Sequence, residues 1–223
     1  PYSGTYDGVA HSIEVTIPDG AAIKYGTAEG TYDMDEAPSY TNVGTYTIFY
    51  QVTKDNYNAV IGSQTVTINS KAVTVTADNQ TKVYGTADPE LTAAVDGTIG
   101  EDKVTYSLSR AEGEDVGEYT ITPTGDAEQG NYTVSYTNGT LTITPATMTD
   151  ITAAAYEGTY DGMAHTIQVT IPDGASIKCG TAEGTYDMDE APDYTNVGTY
   201  TIFYQVTKDN YNAVIGSQTV TIN

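Results

Sequence analysis

The chain has 223 residues, 39% of them apolar, and a formal net charge of −22 from 30 acidic residues against 8 lysines and arginines. That length suits two or three small domains, and the charge leaves no basic patch to release counterions from nucleic acid or to hold an anionic lipid surface. One cysteine, Cys179, excludes an intrachain disulfide, and no run approaches the ~18 apolar residues of a membrane span. The aromatic inventory is 20 Tyr, 2 Phe and no Trp. Tyrosine with alternating threonine fits a pleated, half-buried surface, so strands are expected throughout.

The chain opens mid-pattern at Pro1-Tyr2 without a signal peptide, as expected of a piece of a longer protein. Tyr6-Asp7-Gly8 marks a first turn, and Ile13, Val15 and Ile17 alternate with polar neighbours as one face of a strand. Pro18-Asp19-Gly20 is the next turn. Lys24 lies between core-facing Ile23 and Tyr25 and should point to water, and Tyr46, Ile48, Tyr50 and Val52 form a longer strand. Further on, the inward sets are Val73/Val75, Val104/Tyr106/Leu108, Tyr119/Ile121, Tyr132/Val134/Tyr136 and Leu141/Ile143. Asn138-Gly139 predicts a two-residue type I′ hairpin pairing Tyr136 with Leu141 and Val134 with Ile143. No eleven-residue window sustains a helical period.

From Tyr156 onward the chain repeats itself. Residues 2–69 recur at 156–223 without gaps, and only seven of the 68 positions differ. The intervening segment is a distant relative: Val43-Gly44-Thr45-Tyr46 is echoed by Val116-Gly117-Glu118-Tyr119, and Asn56-Tyr57 by Asn131-Tyr132. Fixed-period self-similarity marks an array. The expected organisation is three domains, 1–69, 70–145 and 146–223, each wrapping its alternate side chains into its own small core. The first lacks a counterpart of Thr147–Thr152, so its first strand is expected to be cut off and an edge left open. Short strands with frequent turns point to an all-β tandem array of three immunoglobulin-like β-sandwiches. A β-grasp is the alternative, but no segment supplies its helix.

The middle segment, with Ala72-Val73-Thr74-Val75, Lys82-Val83-Tyr84-Gly85-Thr86, Val116-Gly117-Glu118-Tyr119, Asn131-Tyr132 and Asn138-Gly139-Thr140-Leu141, resembles the bacterial MBG repeat family. The outer pair, with Tyr6-Asp7-Gly8 and Asn42-Val43-Gly44-Thr45-Tyr46, resembles YDG and bacterial Ig-like repeats. The resemblance implies an extracellular address, on a bacterial cell surface or wall, and a role in display or adhesion. It implies no catalytic residues.

The residues support the same expectations. No nucleophile–base pair, metal cluster or phosphate loop is spelled out, so no enzyme is expected. His11 and His165 occupy equivalent positions in separate repeats and read as structural. Asp33, Asp35 and Glu36, repeated as Asp187, Asp189 and Glu190, are the candidate calcium ligands, although the spacing is not that of the twelve-residue calcium loop and a solvated acidic loop is the competing reading. No other cofactor is expected. Cys179 replaces Tyr25 and reads as drift at a half-buried strand position. Lys24 and Lys54 do not read as buried isopeptide donors. Tyr32, Tyr40, Tyr186 and Tyr194, with Tyr2 and Tyr156, could stack on sugars, against the plainer reading that tyrosines build the cores. The expected function is a monomeric stalk or spacer in adhesion. The rival is a module that binds host glycans or surface proteins through repeated loops, with avidity from copy number.

Overall fold

The computed structural model describes residues 1–223, and every regular element in it is a strand. The first segment carries β1 (Tyr2–Thr5), β2 (Ala22–Gly26), β3 (Gly44–Thr53) and β4 (Val60–Asn69), in one sheet of order β1-β4-β3-β2. The middle segment carries β5 (Lys71–Ala77), β6 (Gln80–Val83), β7 (Ala93–Asp96), β8 (Ser107–Arg110), β9 (Gly117–Thr124), β10 (Glu128–Gln129), β11 (Tyr132–Thr137) and β12 (Gly139–Thr144). Its sheets have the orders β10-β11-β5-β7 and β6-β12-β9-β8. The third segment carries β13 (Ala146–Thr147), β14 (Thr152–Ala154), β15 (Tyr156–Gly158), β16 (Gln168–Thr170), β17 (Ser176–Gly180), β18 (Gly198–Thr207), β19 (Tyr211–Asn212) and β20 (Val214–Ile222). The fold is an all-β tandem array of small immunoglobulin-like units, and the absence of any helix removes the β-grasp alternative.

Two compact units divide the chain. One comprises Pro1–Asn79, Leu91–Ala111 and Thr120–Thr140, and the other Gln80–Glu90, Glu112–Tyr119 and Leu141–Asn223. In the first unit the core does not stop at the end of the first segment. Tyr6, Ile13, Tyr25, Ile48, Val66 and Ile68 form one buried cluster with Val73, Val75, Val104, Tyr132 and Val134. The expectation of a private core per segment therefore fails here, because Tyr6, just after β1 of one segment, packs on Tyr132 of the next. In the second unit Met148, Ile167, Cys179, Ile202, Tyr204, Val206, Val220 and Ile222 form the cluster. Fully burying an Ile or Val contributes about 1.5–3 kcal/mol, and Ile48, Val66, Ile202 and Val220 are all fully buried.

The tyrosine-rich strands have a further device. Tyr50 stands opposite Gly62 in the β3–β4 ladder, and a β-carbon on Gly62 would fall 2.5 Å from Tyr50 Cζ. Tyr204 and Gly216 repeat the arrangement. The ring covers a backbone that glycine leaves bare, and the pair pins the register.

Three strand expectations need correction. Asn138-Gly139 is not a hairpin: β11 runs parallel to β5, and β12 runs parallel to β6 in another sheet. Neither residue has a positive φ, which a type I′ turn requires at both positions. Gly139 is there because a β-carbon would fall 2.6 Å from Ala77 O. Tyr106, read as inward, is 37% exposed, outside the ladder that begins at Ser107. Ile13 is buried, yet residues 13–17 are not a strand in the first segment, whereas Gln168–Thr170 of the third are, paired with β14.

Candidate functional site

The residues singled out in the sequence are mostly engaged in folding. His11 Nε2 lies 3.0 Å from both Asp7 Oδ1 and Tyr2 Oη, and its ring stacks on Tyr2 at 4.0 Å. His165 repeats this with Asp161 and Tyr156. The histidine bond, with a backbone bond from residue 9 or 163, holds the Asp7 and Asp161 carboxyls below the usual carboxylate range. Tyr40 stacks on Tyr46 at 3.9 Å and Tyr194 on Tyr200 at 3.9 Å, so one face of each candidate ring is covered. Tyr32 and Tyr186 are half-buried.

In the acidic loops Asp33, Asp35, Glu36, Asp187, Asp189 and Glu190 are all exposed. Asp35 accepts from Lys24 Nζ at 2.5 Å, and Asp189 accepts from Lys178, whose bond depresses its pKa. Lys24 thus points outward, and Lys54 reaches the Asp19 carbonyl at 2.8 Å. No three His, Cys, Asp or Glu side chains converge as a metal-holding group. Cys179 is a free, buried thiol, and burial pushes its pKa up. It faces Tyr204 in the ladder as Tyr25 faces Tyr50.

Sequence reasoning overlooked Lys82. Its side chain is 4% exposed, and Nζ donates to Asp88 Oδ1 at 2.6 Å and Glu114 Oε2 at 2.5 Å. Those two bonds raise its pKa against the opposing effect of burial. A buried ammonium needs such partners, and lysine within the Gln80–Val83 strand gave no local sign that it faces inward.

It also overlooked a recurrent clasp. In the first unit the Val43 amide donates to Asn131 Oδ1 at 2.8 Å, while Asn131 Nδ2 donates to Asn42 Oδ1 at 3.1 Å. Beside this pair, Tyr6 and Tyr132 meet edge to face with centroids 5.5 Å apart. Both their hydroxyls donate to Asp102 Oδ2, at 3.0 and 2.6 Å. Burial, then the Asp102 bond, pushes Tyr132 up to about 12. In the second unit the Val116 amide donates to Asn210 Oδ1 at 2.7 Å and Asn210 Nδ2 to Asp115 Oδ1 at 2.8 Å. There Tyr84 and Tyr211 meet edge to face, again with centroids 5.5 Å apart. The same parts recur: the Asn-Tyr corner of one segment clamps the Val-Gly turn and a tyrosine of the segment before it. The Asn-Tyr and Val-Gly echoes were legible as marks of kinship, but only the folded chain brings them together.

The MBG domain (YGX type) profile matches residues 73–142. The MBG domain profile matches residues 149–223. The chain carries MBG repeats. The match over 149–223 puts the third segment among MBG domains, and the YDG resemblance of the outer pair has no such match. The first segment shares 61 of 68 aligned residues with this third, MBG segment. No curated protein matches the chain.

Among solved structures, a three-immunoglobulin-domain fragment of titin is similar at 10% identity, covering 100% of this chain and 95% of that one, with TM-score 0.36. The human desmocollin-1 ectodomain is similar at 11% identity over 99% of this chain and 59% of its own, with TM-score 0.30. SGBP-B of the Bacteroides ovatus mixed-linkage glucan utilization locus, in complex with a mixed-linkage heptasaccharide, is similar at 16% identity, with 99% and 65% covered and TM-score 0.24.

Proposed function

We propose that the chain is a non-catalytic structural repeat region of a bacterial cell-surface or secreted protein, serving as an extended stalk in adhesion. The observation that carries this reading is the recurrent clasp: the residues best placed to be a repeated site, Asn131-Tyr132 and Asn210-Tyr211, are spent on fixing one repeat to the next. Near-identical copies suit a role in which number and reach matter more than a unique pocket. A charge of −22 keeps such a chain soluble and repels it from an anionic wall.

Small-angle scattering tests the reading. A compact globule of 223 residues has a radius of gyration of about 17 Å, while three ~30 Å units in line reach roughly 90 Å and give about 26 Å. The stalk requires the larger value. A radius near that of the globule overturns it.

A further inference from the structure

The two outer segments are near-identical in sequence, yet each exposes what the other covers. Tyr6 is 8% exposed in its clasp with Tyr132, while its twin Tyr160 is 55% exposed. Val43 is half-buried with its amide bonded to Asn131, while its twin Val197 is 64% exposed. At the other face the inequality reverses. Asn210 and Tyr211 are half-buried in their clasp, and Tyr57, the twin of Tyr211, is 72% exposed. Beside Tyr57 lies a groove of about 270 Å³ walled by Pro18, Val52 and Val60. The corresponding place in the third segment, beside Pro172 and Tyr211, is lined by Met148, which is 6% exposed.

We propose that these are the two complementary halves of one joint: the Tyr160–Val197 face seats the Asn-Tyr corner of a further repeat with the chemistry of residues 70–145, and the Asn56–Tyr57 face seats the Val-Gly turn of another. The occupant is fixed by what fills the equivalent places. Asn131-Tyr132 of the middle segment fills the face made by Tyr6 and Val43, and Tyr84 with Asp115-Val116 fills the face made by Asn210-Tyr211. Every residue that makes the filled faces is retained in the open ones. Tyr160 and Asn196-Val197-Gly198 repeat Tyr6 and Asn42-Val43-Gly44, and Asn56-Tyr57 repeats as Asn210-Tyr211. The chemistry required is an asparagine amide for the bare Val197 N–H, a tyrosine edge for the Tyr160 ring, and an extended Thr-Met segment for the groove. Tyr, Val and Met side chains gain by leaving water, and the amide bond sets the register. Which surfaces join does not depend on where the protein resides.

The test extends the full chain. One variant carries a second copy of residues 70–223 after Asn223, which reproduces the natural Asn69–Ser70 junction and keeps the middle segment with the third segment it packs on; another carries residues 70–155 before Tyr2. In the first, amide exchange at Val197 should slow roughly tenfold, toward the rates of Val43 and Val116, and replacing the appended counterpart of Asn131 with alanine should restore fast exchange. In the second, Tyr57 should become protected from solvent quenching while Tyr160 does not. Unchanged exchange at Val197 beside a folded appended copy overturns the proposal. So does an appended copy that stays unfolded, since the face is held to supply the seat its tyrosine needs. A chain that extends in scattering yet fails these tests leaves the stalk intact and removes only the joint.

Discussion

The first and third segments share 61 of 68 aligned residues and do not have the same structure. In the third, β14 pairs with β16 and β13 with β19, and Tyr204 and Val206 are 8% and 0% exposed. In the first, positions 14–16 and 57–58 form no strand, Tyr50 and Val52 are only half-buried, and Val60 is 62% exposed. The seven substitutions do not explain this, since Glu14→Gln is the sole change among those positions. The difference follows the partner strands. Residues 146–154 supply hydrogen bonds and the Met148 side chain to the third segment, so a strand forms wherever a second one is present to pair with it.

That comparison can be broken most forcefully at equivalent positions of the two cores. Ile48→Ala and Ile202→Ala remove equally buried side chains from equivalent ladders, and each should cost about 2–5 kcal/mol in chemical denaturation. A much smaller loss in the first segment would mean that the two ladders are not equivalent. Met148→Ala should cost about 2 kcal/mol or more, and by amide exchange the loosening should be confined to the third segment, with β14 and β16 opening so that it comes to resemble the first. Asn131→Ala leaves the Val43 amide without its acceptor and should cost about 1–3 kcal/mol, seen as faster exchange at Val43 and not at Val197.

Acid provides a milder probe. The Asp7 and Asp161 carboxyls are held low by their histidine neighbours, chiefly through the hydrogen bond. A carboxyl whose pKa is lower in the folded state stabilises fully above its unfolded pKa, and that contribution fades as pH falls through the folded value. Both outer segments should therefore lose a little stability together below the normal carboxylate range, and Asp7→Asn should remove the effect from the first alone in a pH titration of melting. The smallest effect is expected from calcium: with Asp35 and Asp189 paired to lysines, added calcium should leave the melting temperature unchanged. A saturable rise abolished by Asp33→Asn and Asp187→Asn would instead assign the acidic loops as a cation site.

Alternation along Tyr46–Val52 and Leu141–Ile143 reads directly as strands, because a pleated chain must send successive side chains to opposite faces. Asn138-Gly139 misled because a turn rule counts the residues between two runs and not the other strands available to each. Here β5 and β6 outcompete the hairpin. Lys82 was invisible for a related reason: its burial depends on Asp88 and Glu114, the latter 32 residues away. The joint was half legible. Asparagine, tyrosine, valine and glycine recurred at matching places, but a hydrogen bond spanning 88 residues, such as that from Val43 to Asn131, leaves no periodic trace.

One property of the ladders bears on a molecule under tension. Tyr2–Thr5 runs parallel to Val66–Asn69, and Tyr156–Gly158 parallel to Val220–Ile222, so in each outer segment an early strand and the final strand lie side by side and point the same way. Pulling the two chain ends apart drags these strands past each other, loading their hydrogen bonds all at once in shear instead of peeling them singly. A repeat closed in this manner resists extension through several hydrogen bonds together.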